Sequence, residues 1–179
     1  MGEIKFPKKV KLFTAIMFRK KEDLEKVLEI LKEKFGIIDF ELKPFLVDYT
    51  EYYFKEMGKP LYKGFYSFEK LIHPKDIVSI KLFTNEVEKD FSDEGKRRIN
   101  IDPGYLEDAK IVLVSTKNYA HRIYLSSGIY GEVSLIYRRN LGWTPLMWTY
   151  QDYAFDETLE FFLKMRKKYL QTREMADTL

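Results

Sequence analysis

Between residues 100 and 153 the chain collects the side chains best suited to chemistry. Asn100-Ile101-Asp102-Pro103-Gly104-Tyr105 sets a carboxylate three residues before a phenol. Lys117, His121, Arg122, Glu132, Arg138, Arg139, Trp143, Trp148, Tyr150 and Asp152 follow, so the window holds both tryptophans and one of the two histidines. Asp102, His121 and Glu132 are the candidate catalytic groups, because imidazole and carboxylates exchange protons with a substrate held within hydrogen-bond reach. Asn100, Tyr105, Lys117, Arg122, Arg138, Tyr150 and Asp152 are the candidate ligand-binding groups. Their cations suit an anion, and their amide, phenol and carboxylate tips suit neutral donors and acceptors.

Each of these residues also has a plain structural reading. Asp-Pro-Gly is turn chemistry: proline sets φ at the second turn position and glycine tolerates positive φ at the third. The expectation is a rigid turn joining two strands and presenting Asp102 and Tyr105 at a sheet edge. Downstream, a three-residue loop Ser126-Ser127-Gly128 would set Leu125 against Ile129 and Tyr124 against Tyr130. Arg122 then falls opposite Glu132 on the face of that tyrosine pair. This is either an ordinary cross-strand ion pair or the floor of a pocket. A lone histidine such as His121 is more often a structural hydrogen-bonding group than a catalyst. The stretch Trp143 to Tyr153 reads as amphipathic aromatic cover for a core, or as a wall for a planar ligand with Arg138 and Arg139 near its phosphate.

The elements that must position these groups follow from hydrophobic period. Val10 to Phe18 is a buried strand, and Leu24, Val27, Leu28, Leu31 and Phe35 mark an amphipathic helix ending at Gly36. Ile37 to Val47 is a second strand, with Pro44 at an edge or bulge. Tyr49 to Pro60 is a short helix or ordered loop, and Leu61 to Leu71 is a strand. His73-Pro74 starts a helix carried on by Ile77, Ile80, Thr84, Val87 and Phe91. Ser92 to Arg98 is a polar break and Arg98 to Ile101 a short strand. Ala109 to Ser115 is a buried strand, His121 to Arg138 a hairpin, and Gly142 to Tyr153 irregular. A last helix from about Asp156 buries Leu159, Phe162, Leu163, Tyr169 and Leu170, leaving Lys164, Arg166, Lys167 and Lys168 as its solvated face. The order predicts an α+β fold in one domain, residues 1–179, with loose termini at 1–8 and 174–179. Its mostly antiparallel sheet would pack two or three helices in a ferredoxin-like βαββαβ pattern, extended by a C-terminal hairpin and helix.

Composition sets limits on function. Thirty-one basic against 28 acidic residues leave a net charge of +3, not the one-sided excess of a nucleic-acid binder. No cysteine means no disulfide, thiol nucleophile or thiolate metal site. Two separated histidines give no dedicated zinc or iron set, and magnesium on Asp102, Glu132 or Asp152 has no sequence signature. No metal is therefore assigned, and no cofactor is indicated. Phosphate-loop, dinucleotide, nucleophile-elbow and zinc-helix motifs are all absent. With no signal-like or membrane-spanning apolar run, a cytoplasmic location with no membrane partner is expected.

The Asn100–Tyr105 string also carries a resemblance. The chain resembles a bacterial and archaeal family of similarly sized proteins of unknown function, marked by N-[IL]-D-P-G-Y. The likeness takes in His121-Arg122-Ile123-Tyr124-Leu125, Gly128-Ile129-Tyr130 with Glu132, and Trp148-Thr149-Tyr150. It departs at Gln151, where the pattern has proline. Some members carry a GTP-binding label, but the phosphate loop, N-K-x-D and D-x-x-G are missing here, so any nucleotide would be held by a different geometry. The leading functional expectation is a small anionic, nucleotide-like ligand bound between the Asp102 turn and the hairpin, with acid–base chemistry left open. The alternative is a protein- or RNA-interaction module without catalysis. Oligomeric state has no signal in the sequence.

Overall fold

The computed structural model describes residues 2–177. Strand β1 (Val10–Phe18) is buried at every position, because it lies mid-sheet with helices on both faces. Its even residues Leu12, Ile16 and Phe18 enter one core and its odd residues Phe13 and Ala15 the other. Helix α1 (Lys21–Phe35) follows, with Leu24, Val27 and Leu31 inward. Glu22 and Asp23 sit at its positive end and Lys32 and Lys34 at its negative end. β2 (Ile38–Leu46) is an edge strand, and its register shifts between Leu42 and Phe45 to accommodate Pro44. The segment to β3 (Tyr62–Ile72) holds the short helix α2 (Phe54–Met57). A 3-10 turn at Pro74–Asp76, whose Asp76 carboxylate accepts the His73 N–H, leads into α3 (Ile77–Asp90). The polar break is a two-residue hairpin, β4 (Ser92–Asp93) and β5 (Lys96–Arg97). β6 (Ile99–Glu107), β7 (Lys110–Ser115), β8 (Ile123–Ser126), β9 (Ile129–Arg138) and β10 (Gly142–Pro145) complete the strands.

All pairings are antiparallel, in the order β10-β9-β7-β6-β1-β3-β2, with β8 on β9. The β6-β1-β3-β2 half, with α1 and α3 on one face, is the expected βαββαβ unit. The other strands extend it, and α4 (Asp156–Asp177) covers the opposite face. Each fully buried Phe, Leu or Met in these cores is worth about 1.5–3 kcal/mol. α4 buries Phe161 and Met165 besides the expected Phe162 and Tyr169. Arg166, expected on its solvated face, instead stacks on Tyr137 and donates to the Asp108 carbonyl at 2.7 Å. Of the C-terminal segment expected to be loose, 174–177 continue the helix and 178–179 lie outside the described residues.

Asp102-Pro103-Gly104 does not turn. These residues run straight through β6, paired with Ala15, Thr14 and Phe13 of β1. Composition misleads here because the motif answers a different need. β6 pairs with β7 only from Gly104↔Leu113 to Glu107↔Lys110, while β7 stays on β9 as far as Ser115↔Tyr130. The two strands therefore part at Pro103. Proline cannot donate to a ladder, so it suits the point where the ladder stops. Gly104 is needed where the strands still touch, because a Cβ there would lie 2.6 Å from both Phe13 Cζ and the Val112 carbonyl oxygen.

The hairpin register also differs in one detail. Tyr124 faces Tyr130 as expected, but Ser126 rather than Leu125 pairs with Ile129. The loop is the two residues Ser127 (φ 51°) and Gly128 (φ 76°), a type I′ turn that suits strand twist, and Leu125 is bulged out of register.

Candidate functional site

Where β6 and β7 part, a cleft of about 740 Å³ opens. Alternation along β6 sends Ile99, Ile101 and Tyr105 into the α1/α3 core, and places Asn100 and Asp102 at the cleft. Ile101 is left with backbone groups that β7 no longer meets. Helix α3 supplies the missing partners: Glu88 Oε1 accepts the Ile101 N–H at 2.6 Å and Lys81 Nζ donates to its carbonyl at 2.9 Å. Both side chains are buried, as is required of groups standing in for a strand. Lys81 Nζ is also 3.6 Å from Asp102 Oδ1.

Two arginines brace the walls. Arg97 grips Glu56 of α2 through Nε (2.6 Å) and Nη2 (2.9 Å), and its Nη1 reaches Glu88 Oε2 (3.0 Å) and Asn100 Oδ1 (2.7 Å). The bond to Glu56 raises the arginine above its ordinary value and lowers the glutamate. Asn100 Nδ2 in turn donates to Asp102 Oδ2 at 2.7 Å. Burial works against the Arg122 charge, but the Glu132 bond and charge outweigh it and raise its pKa. Arg122 Nε donates to Glu132 Oε2 at 2.6 Å, Nη1 to the Lys117 carbonyl at 2.9 Å and Nη2 to Tyr150 Oη at 2.9 Å. A buried guanidinium with several of its donors engaged is a strut more than a free hand for a ligand.

The carboxylates are equally committed, with one exception. Glu132, 2 % exposed in its side chain, accepts from Arg122 and lies 2.9 Å from His121 Nε2 on the same oxygen, while Oε1 accepts from Ser134 at 3.1 Å. Asp152 is buried against Lys63. Glu88 is held by Arg97 and Ile101, and burial raises its pKa, with the Asp102 charge adding to the rise. Asp102, with a third of its side chain exposed (33 %), is the carboxylate that faces the cleft.

Tyrosines form much of the remaining lining. Burial raises the pKa of Tyr49, Tyr53 and Tyr153, so all three are neutral hydrogen-bonding groups at physiological pH. Tyr52 is the opposite case: exposed at the rim, it accepts a 2.5 Å bond from Lys117 Nζ that lowers its pKa. No carboxylate lies at ion-pair distance from Lys117 among the described residues.

Of the residues singled out from the sequence, Asn100, Asp102, Lys117, Arg122, Glu132, Tyr150 and Asp152 line this one cleft. His121 does not; its ring lies flat on Trp148 (5.2 Å, 9°) and reaches the cleft only through Glu132. Tyr105 points into the core on the other face. Arg138 is exposed at the far end of β9, six residues beyond Glu132, or about 20 Å along a strand. Lys63, Lys81, Glu88, Arg97 and the Tyr49–Tyr53 wall went unnoticed in the sequence. Lys81 and Glu88 carried a usable signal: charges at i and i+7 share the α3 face of Ile77, Ile80 and Thr84. No group of three or more His, Asp or Glu side chains among the described residues could hold a metal ion.

The chemistry available is thus recognition by cations, neutral phenols and one open carboxylate. Among the described residues, no helix is long and apolar enough to cross a membrane. No curated protein and no solved structure matches the chain. A family model does match, over residues 8–169, taking in every element that builds the cleft. The chain belongs to the family described as a domain of unknown function, DUF4416.

Proposed function

We propose that this protein binds a small anionic molecule, of the phosphate- or carboxylate-bearing class that includes nucleotides, in the cleft between β6 and β7. The observation that carries this is Lys117. Five of the six cationic side chains in the lining are ion-paired with carboxylates, whereas Lys117 at the rim has a phenol, that of Tyr52, as its partner and no carboxylate at ion-pair distance among the described residues. The volume is that of a pocket for a metabolite-sized ligand. Catalysis is not part of the proposal. Glu132 has its acceptors occupied and His121 is off the lining, whereas a general base needs direct or one-water reach to the ligand.

Thermal shift against inorganic phosphate, sugar phosphates, nucleoside monophosphates and dicarboxylates is the test. A ligand at a hundred times its Kd adds about 2.7 kcal/mol of stability, which corresponds to a rise in Tm of roughly 5–10 °C at this chain length. Lys117→Ala is expected to diminish that rise. No shift with any of these compounds at millimolar concentration would overturn the proposal.

A second reading, an RNA- or protein-interaction module, has its own observation. β8 is an edge strand whose Ile123, Tyr124 and Leu125 are exposed, near exposed Trp148 beside His121. A silent small-molecule panel together with salt-dependent RNA binding would favour it.

A further inference from the structure

Tyr153 sits in the cleft lining with only 1 % of its surface exposed, among Phe13, Phe65 and Phe162. Its hydroxyl is buried and has no hydrogen-bond partner among the described residues. An unmet buried hydroxyl costs about 1–3 kcal/mol, and phenylalanine would fill the same space without that cost. The group is therefore suited to a partner that the protein itself does not supply. Burial holds the phenol protonated, reinforced by the charges of Asp102, Asp152 and Glu132, so it offers a neutral donor. Asp102 offers the complement. Asn100 donates to one of its oxygens and Lys81 Nζ lies 3.6 Å from the other, but a third of the side chain is exposed and it can only accept.

Resting on the anion-binding reading above, we infer that the inner part of the cleft reads the uncharged edge of a heterocyclic base. The ligand is then a nucleotide seated base-inward, with its phosphate at the Lys117 rim. Tyr153 donates to a ring nitrogen or carbonyl, and Asp102 accepts an adjacent N–H; base edges carry such donor–acceptor pairs. A phosphate is unsuited to the inner position, because it would meet the Asp102 carboxylate. It suits Lys117, which has no carboxylate at ion-pair distance among the described residues. Tyr53 and Tyr150 bring aromatic rings to the lining, and stacking on such a ring is worth about 1–3 kcal/mol per base. A sugar hydroxyl could also satisfy Tyr153 and Asp102, but it would leave that aromatic surface unused.

Calorimetric titration with the four ribonucleoside 5′-monophosphates and with ribose 5-phosphate separates these cases. The expected result is that at least one nucleotide binds about tenfold or more tighter than ribose 5-phosphate. Tyr153→Phe should lose about tenfold for that nucleotide, keep its affinity for ribose 5-phosphate, and fold with undiminished stability. Asp102→Asn, which exchanges an acceptor-only group for a mixed one, should change which base is preferred. If ribose 5-phosphate binds as well as every nucleotide, or if Tyr153→Phe binds the preferred nucleotide like the wild type, base reading is overturned while anion binding stands. If none of the five compounds binds, base reading is overturned, and anion binding falls with it when inorganic phosphate and the dicarboxylates are silent as well.

Discussion

At the level of single residues, Asn100 to Tyr105 shows how one string can serve a need other than its commonest one. Asp-Pro-Gly promises a turn, yet every residue here answers a requirement of a central strand beside a split. Asn100 passes a hydrogen bond from Arg97 to Asp102, Ile101 fills the core, Pro103 stands where the ladder stops, and Gly104 lets two strands and Phe13 meet. Turn propensity is local, whereas the split depends on β7 following β9, more than 15 residues further along the chain. Gly104→Ala tests this directly. A methyl 2.6 Å from the Val112 carbonyl cannot be relieved by rotating a side chain, so a loss of about 1–3 kcal/mol is expected in denaturant unfolding. Wild-type stability in that variant would contradict the close approach.

At the level of elements, the helix and strand periods placed β1, α1, α3, β7 and α4 within a few residues, because each buries a regular stripe. The Arg122–Glu132 pairing was also readable from alternation, even though the turn is one residue shorter than assumed. What periodicity could not give was the role of charge on α3. Lys81 and Glu88, unremarked among the apolar residues of that face, are struts that close the open edge of β6. The strut has a pH signature. Burial raises the folded-state pKa of Glu88 above the ordinary 4.5, so between 4.5 and that raised value the folded state holds a proton that the unfolded chain has lost. Stability from this group is complete below 4.5 and is lost as pH rises through the folded value. Glu88→Gln keeps an acceptor for the Ile101 N–H and cannot ionise. Its stability relative to wild type should therefore increase as pH is raised from 4 to 7, measured by urea unfolding at each pH. A constant or falling difference would show that the buried carboxylate is not disfavoured.

At the level of the whole molecule, the βαββαβ half and the strand extension meet at the β6–β7 split, and the cleft lies on that seam. This explains which site residues could be recognised beforehand. Asn100, Asp102, Arg122 and Glu132 are close in sequence and fall within one distinctive window. Lys63, Arg97 and the Tyr49–Tyr53 wall come from β3, β5 and the α2 segment, and only the fold assembles them with the rest. Tyr105 and Arg138 were drawn in by proximity in sequence, and strand alternation and strand length then carry them away. The proposed ligand binding belongs to this seam. Backbone-amide NMR titration with a nucleoside 5′-monophosphate tests it most directly. The expected shifts fall on Asn100 to Asp102, Ser115 to Lys117 and Tyr150 to Tyr153, while Arg138 and the 164–168 stretch of α4 stay still. Shifts confined to Arg138 or α4, or no shifts at millimolar ligand, would contradict it.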